Sequence, residues 1–118
     1  MKTIACASRC RFVRSLFMLL FASAAALPAS AWDGTATGKI SSVEVTAGPN
    51  YGFRVFLNGG QQALCTGGTS FAFLFETDSN YKVYVASLLL AKAQGSTVTV
   101  FSTNEGGFCH IGHVMVYS

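Results

Sequence analysis

The first 31 residues read as a segment removed before folding, and this limits what the rest of the chain can build. Residues 1–15 carry Lys2, Arg9, Arg11 and Arg14 and no acid, and residues 16–27 (LFMLLFASAAAL) are uncharged and apolar. Ala29-Ser30-Ala31 then supplies the small residues a signal peptidase accepts. A basic head, a short apolar run and A-x-A together form a secretory signal peptide, with the cut expected after Ala31. The run is shorter than the roughly 20 helical residues that span a bilayer core. Trp32 stands where a lipid-anchored exported protein carries cysteine. An uncleaved anchor is the competing reading. The sequence predicts a signal peptide over 1–31 and a mature chain of 32–118, periplasmic or secreted, with no membrane span.

Removing that segment reverses the charge balance. The whole chain has a formal charge of +3, but four of its cations leave with the signal. Lys39, Arg54, Lys82 and Lys92 then face Asp33, Glu44, Glu76, Asp78 and Glu105, a net charge of −1. A basic footprint for nucleic acid is therefore missing. Ser, Thr, Asn, Gln and Gly make up 36 of the remaining 87 residues, so the surface is polar with few charges. Abundant Phe, Val and Leu argue against disorder. Cys6 and Cys10 leave with the signal, and Cys65 and Cys109 remain. Two cysteines in an exported domain allow one pairing, Cys65–Cys109. Closing a loop of that length is worth about 4 kcal/mol in the chain-entropy model. The alternative is a free thiol activated by His110.

Glycines cut the mature chain into short runs. Residues 39–47 (KISSVEVTA) alternate Val43, Val45 and Ala47 with Ser42, Glu44 and Thr46, the pattern of a half-buried strand. Gly48-Pro49-Asn50 has turn chemistry. Residues 52–58 set Phe53, Val55 and Leu57 on one face of a second strand, and residues 70–76 set Phe71, Phe73 and Phe75 on one face of a third. The period then changes. Tyr81, Tyr84, Val85, Leu88 and Ala91 recur at helical spacing, with Asp78 or Ser79 available as a cap and Gly95 as a stop, which predicts a helix over 79–94. Residues 96–102, with Val98 and Val100 opposing Thr97 and Thr99, and residues 109–117 complete the set as strands around the turn Asn104-Glu105-Gly106-Gly107. The order β-β-β-α-β-β predicts a mainly β domain with one helix and one disulfide, an OB-like Greek-key barrel. An open α+β sandwich with the same order is the competing architecture.

The catalytic patterns present are weak. His110-Ile111-Gly112-His113 spells a tetrapeptide of class I aminoacyl-tRNA synthetases, but here it falls in a predicted strand of a small exported domain and reads as chance. Cys109, His110 and His113 could suggest a metal site. Residues three apart on a regular strand point to opposite faces, so no metal is expected. Glu76 and Asp78 read as a solvated strand end and a cap, and Glu44 and Glu105 as exposed strand and turn charges. The chain has no G-x-S-x-G elbow, G-x-x-x-x-G-K or G-x-G-x-x-G, so neither catalysis nor a cofactor is expected. Neutral polar groups with a few aromatics suit carbohydrate better. The available pieces are Asn50, Tyr51, Arg54, Tyr81, Asn104 and Trp32. Their structural alternatives are a turn former for Asn50, helix packing for Tyr81 and a mobile terminus for Trp32.

Ile40 to Val45, Tyr51-Gly52-Phe53-Arg54-Val55, Leu64-Cys65, Tyr81 with Leu88 to Ala93, Gly95 to Val100, and Cys109 with Ile111-Gly112 resemble the B subunits of subtilase-cytotoxin and typhoid-toxin type. They equally resemble small exported bacterial proteins of that outline. The resemblance covers residues 39–118 and rests on strand order, helix position and one cysteine pair. It implies an OB-fold subunit in a homopentameric ring, with the helices lining the pore. It further implies binding of cell-surface glycans, often sialylated, and a separate catalytic A component. The family's sugar pocket follows the first long strand and contains an Asp-Thr-Ser run. Here that stretch is Gly48-Pro49-Asn50-Tyr51 without the serine, so only Asn50 and Tyr51 carry over, with Arg54 added from the residue reading. A monomeric exported protein-binding or envelope protein with no glycan affinity is the alternative.

Overall fold

A computed structural model describes residues 31–118; the signal-peptide reading of 1–31 lies outside the described residues except at Ala31. Five strands and one helix follow in order: β1 (Gly34–Val45), β2 (Phe53–Leu57), β3 (Phe71–Leu74), α1 (Tyr81–Gln94), β4 (Thr97–Glu105) and β5 (Phe108–Tyr117). The sheet closes as a barrel in the order β1-β2-β3-β5-β4, and the β3–β5 contact is parallel while the rest are antiparallel. With the helix between β3 and β4, this is the Greek-key arrangement of an OB barrel. It is not the open sandwich.

Closure depends on β1 serving two neighbours. Gly34 to Lys39 pair with β4, and Ile40 to Val45 pair with β2. A register shift between Ile40 and Ser42 adds one residue to the ladder. Ile40 therefore sits in the core and Val43 packs against it, although the two are three positions apart. The alternation read over 39–47 is corrected at its end, because Val45 is 78% exposed. The N-terminal half of β1 has no apolar alternation, since Gly34 and Gly38 serve close approach instead. A Cβ on Gly34 would meet the backbone of Cys65, and one on Gly38 would meet the Asn58 side chain. Asn58 uses that space to accept from the Lys39 N–H and donate to the Thr37 carbonyl, at 3.3 and 3.2 Å.

The interior takes Phe53, Val55 and Leu57 from β2 and Val98 and Val100 from β4, all on the faces the sequence predicts. β3 differs. Its inward residues are Ala72 and Leu74, while Phe73 is fully buried outside the barrel core. The helix presses Leu88 and Ala91 into the barrel, with Tyr81, Tyr84 and Val85 half-buried beside them. It starts two residues later than predicted, at Tyr81, behind a left-handed Asn80 that makes no side-chain cap. The capping roles of Asp78 and Ser79 are thus corrected. Gly95 ends the helix in the left-handed conformation, with Ser96 N–H bonded to Ala91 O at 3.0 Å.

Cys65 and Cys109 are joined, with Cα atoms 5.5 Å apart, and so are not free thiols. Gly68 packs directly on both sulfurs. The buried Ser102 hydroxyl donates to the Leu64 carbonyl at 2.9 Å, which fixes the same loop to β4. No helix among the described residues is long and apolar enough to cross a membrane.

Two outcomes are expected. Replacing both cysteines by alanine should lower the unfolding free energy by about 4 kcal/mol in guanidinium titrations, and a loss under about 1 kcal/mol would deny the bridge a leading role. Ser102→Ala should cost about 1–3 kcal/mol in the same assay, because the Leu64 carbonyl loses its buried donor.

Candidate functional site

The outer face of β2, β3 and β5 carries a second apolar layer. Antiparallel pairing sets Arg54 opposite Phe73 and Phe56 opposite Phe71, and the parallel pairing sets His110 beside Phe73. These outward positions hold aromatic rings because the inward ones already fill the barrel. Phe73 is the centre of the layer. It meets Tyr51 edge-on at 4.8 Å, Phe75 at 4.9 Å and His110 face-on at 4.8 Å with planes 7° apart. Tyr51 also stacks on Phe108 at 4.2 Å, and Phe108 continues the layer to Phe71 at 5.9 Å. Offset and edge-on contacts of this kind are worth about 0.5–1.5 kcal/mol each beyond the area they bury.

Tyr51 reaches the layer because the turn before it is tight. Gly48–Asn50 forms one turn of 3-10 helix, and Tyr51 closes it in the left-handed conformation with φ 58°. Asn50 belongs to the turn itself. It is exposed, its backbone N–H bonds to Ala47 O at 2.8 Å, and its amide donates to the Thr46 hydroxyl at 3.2 Å. Arg54 lies on the outward side of β2 with its guanidinium carbon 4.8 Å from the Phe71 ring centre. Its Nε is 3.5 Å from Glu44 Oε2, an ion-pair distance that lacks hydrogen-bond geometry, so that buried Nε makes no hydrogen bond. Glu44 is half exposed, and the pair adds little stability. The structure thus brings Tyr51 and Arg54 to one aromatic face and leaves Asn50 at its margin.

The other sugar-binding candidates lie apart from this face. Tyr81 packs on the core. Asn104 is a structural hub. Its N–H donates to Asp33, its amide donates to Thr66 O, and its carbonyl accepts from Gly107 N–H, all within 2.9 Å. Trp32 is seated over Gly112, against Phe101 at 5.3 Å and His113 at 5.5 Å, and is not a loose terminus. Clefts are found elsewhere, at residues 33–35 with 63–66 and along α1. The aromatic face is a platform.

His110 is the residue whose surroundings the sequence concealed. Its Nε2 lies 2.7 Å from Asp78 Oδ2 and its Nδ1 2.9 Å from Glu105 Oε1. Asp78 Oδ2 also accepts the Phe75 N–H at 2.7 Å, so this carboxylate is anchored in the loop before α1. Burial favours the neutral ring, but the hydrogen bonds and charges of Asp78 and Glu105 outweigh it and raise the pKa above the ordinary 6.5. The expected opposite-face arrangement of the two histidines is corrected. A register shift opposite Phe101 and Ser102 inserts Gly112 as an extra residue, so His110 pairs with Thr103 and His113 with Phe101 on the same outward side of β4. They occupy separate stacks, and among the described residues no group of three or more His, Cys, Asp or Glu side chains is arranged so that it could hold a metal ion. Asp78 and Glu105 were legible as charges; only the fold places them on either side of one imidazole.

Comparison with family models, characterised proteins and solved structures gives no match.

Phe73→Ala should cost about 3–5 kcal/mol in urea denaturation, the loss of a fully buried ring, although the residue lies outside the barrel. A loss below about 1 kcal/mol would mean that the outer layer adds no stability of its own.

Proposed function

We propose that the protein is an exported, non-catalytic binding module that holds glycans on the aromatic outer face of β2, β3 and β5. The observation that carries this reading is the continuous set of half-exposed rings, Tyr51, Phe108 and Phe71, with the Arg54 guanidinium lying on Phe71. Rings cover the apolar face of a sugar, and the Arg54 guanidinium beside Phe71 supplies N–H groups suited to its hydroxyls or carboxylate. The ligand-carrying surfaces of OB barrels, a sheet face and its loops, include this region. A net charge near zero in residues 32–118 suits neutral or weakly acidic glycans better than polyanions. The formed disulfide suits an extracytoplasmic compartment, as the proposed signal peptide requires.

The reading extends to a ring-forming homo-oligomer of the A–B toxin B-subunit type, with a separate catalytic component. Its support is apolar surface away from the platform. Val83, Leu89 and Leu90 on α1 and Met115, Val116 and Tyr117 on β5 are 41–64% exposed. Exposed apolar surface of this kind marks association sites. The same surface favours the second reading, a monomer that docks on an unrelated protein, if the chain does not self-associate.

Two measurements test these readings. On a glycan array the protein should bind sialylated or neutral glycans, and Arg54→Gln should weaken binding about tenfold without lowering the melting temperature. Absence of binding to every glycan class would overturn the carbohydrate reading. Light scattering should give about five times the monomer mass, whereas a clean monomer would leave the protein-docking reading.

A further inference from the structure

We propose that Asp78, His110 and Glu105 form a proton-operated clasp that ties the loop before α1 to the β4–β5 turn and so fixes the aromatic platform. The geometry of the three side chains is independent of what the platform binds. A neutral imidazole has one N–H and one lone pair, and a carboxylate only accepts. Two carboxylates within 2.9 Å of the two ring nitrogens can both be bonded only when both nitrogens carry protons. The ring is also held in place from its face by Phe73 and from its edge by Phe75.

The charged groups acting on His110 are Asp78, from the connection between β3 and α1, and Glu105, at the end of β4. β3 presents only rings, and the β1–β2 turn contributes Tyr51, one ring removed beyond Phe73 and Phe75. His113, on the same strand, belongs to the Trp32 stack. Losing one proton leaves a ring lone pair facing one carboxylate. The two sides respond differently. Asp78 is 20% exposed and holds the Phe75 N–H, while Glu105 is 52% exposed and holds nothing else. The clasp therefore opens on the Glu105 side. Glu105 leads into Gly106 and Gly107, both at positive φ, and then Phe108, whose ring carries Tyr51. Opening the clasp loosens the turn that positions one edge of the platform.

The sign follows from the raised pKa of the folded state. The tie contributes fully below the ordinary value near 6.5 and is lost as pH rises through the folded value. The test is a nitrogen-15 NMR titration of the disulfide-intact protein, with His113→Gln to assign the rings. The expected result is that His110 has both nitrogens protonated in mild acid and titrates above 6.5. Glu105→Gln, which can still accept the Nδ1 proton, should move that midpoint down. Across the midpoint the Gly107 and Phe108 amides should lose about tenfold in exchange protection, and His110→Gln should abolish the step. A midpoint at or below 6.5, or protection that is level across the titration, would overturn the clasp.

Discussion

The Cys65–Cys109 bridge is the constraint on which the rest of the barrel depends. It joins the long connection between β2 and β3 to the start of β5, at a place where strand pairing is thin. β3 and β5 share only the pairs Ala72–Cys109 and Phe73–His110. Around the bridge, Gly68 packs on the sulfurs, Gly34 admits the Cys65 backbone, Ser102 holds Leu64, and Thr66 and Asn104 hold each other and Asp33. The starts of β1 and β5 and the far end of β4 are thereby fastened to one loop. A domain of this size has little core to spare, and covalent fastening is a usual remedy.

The second remedy is a core on both sides of the sheet. A five-stranded barrel has a narrow interior, and the short β3 can give it only Ala72 and Leu74. Phe73 is buried outside instead, beneath Tyr51, Phe75 and His110. On the proposed reading, stability and recognition share one layer. Inner rings such as Phe73 pack, while outer ones such as Phe71 and Phe108 are partly available to a ligand. A surface with few charges can carry such a layer without burying unpaired ions, and the one imidazole within it is held between two carboxylates.

Where side chains alternate, the sequence was readable. Phe53, Val55 and Leu57 announced β2, Val98 and Val100 announced β4, and Leu88 with Ala91 gave the buried face of the helix. The pairing of the cysteines followed from their number. The first half of β1 was hidden because Gly34 and Gly38 work by lacking a side chain, which leaves no period to see. Phe71, Phe73 and Phe75 were correctly placed on one face, but hydrophobicity does not say which face is inside when both are buried. The capping reading of Asp78 failed for a related reason. A carboxylate before a helix looks like a cap, and its actual partner, His110, is 32 residues away. The two one-residue insertions, at Ile40–Ser42 and at Gly112, leave no mark in composition, yet each moves every later side chain to the other face.

The thin β3–β5 seam has a consequence for how such a chain reaches its destination. The β1–β2 and β4–β5 pairings are local and need little loop closure, whereas the seam joins residues 37 positions apart and carries the disulfide beside it. Without that bond, as in a reducing compartment, the seam would keep only its two residue pairs, which makes it the weakest closure of the ring. For a chain routed through a secretion channel, that weakness is useful. If the chain is exported as proposed, it would stay threadable until it met an oxidant, and oxidation would then lock the ring on the far side. The same bond that stabilises the finished barrel would act as a one-way latch on export.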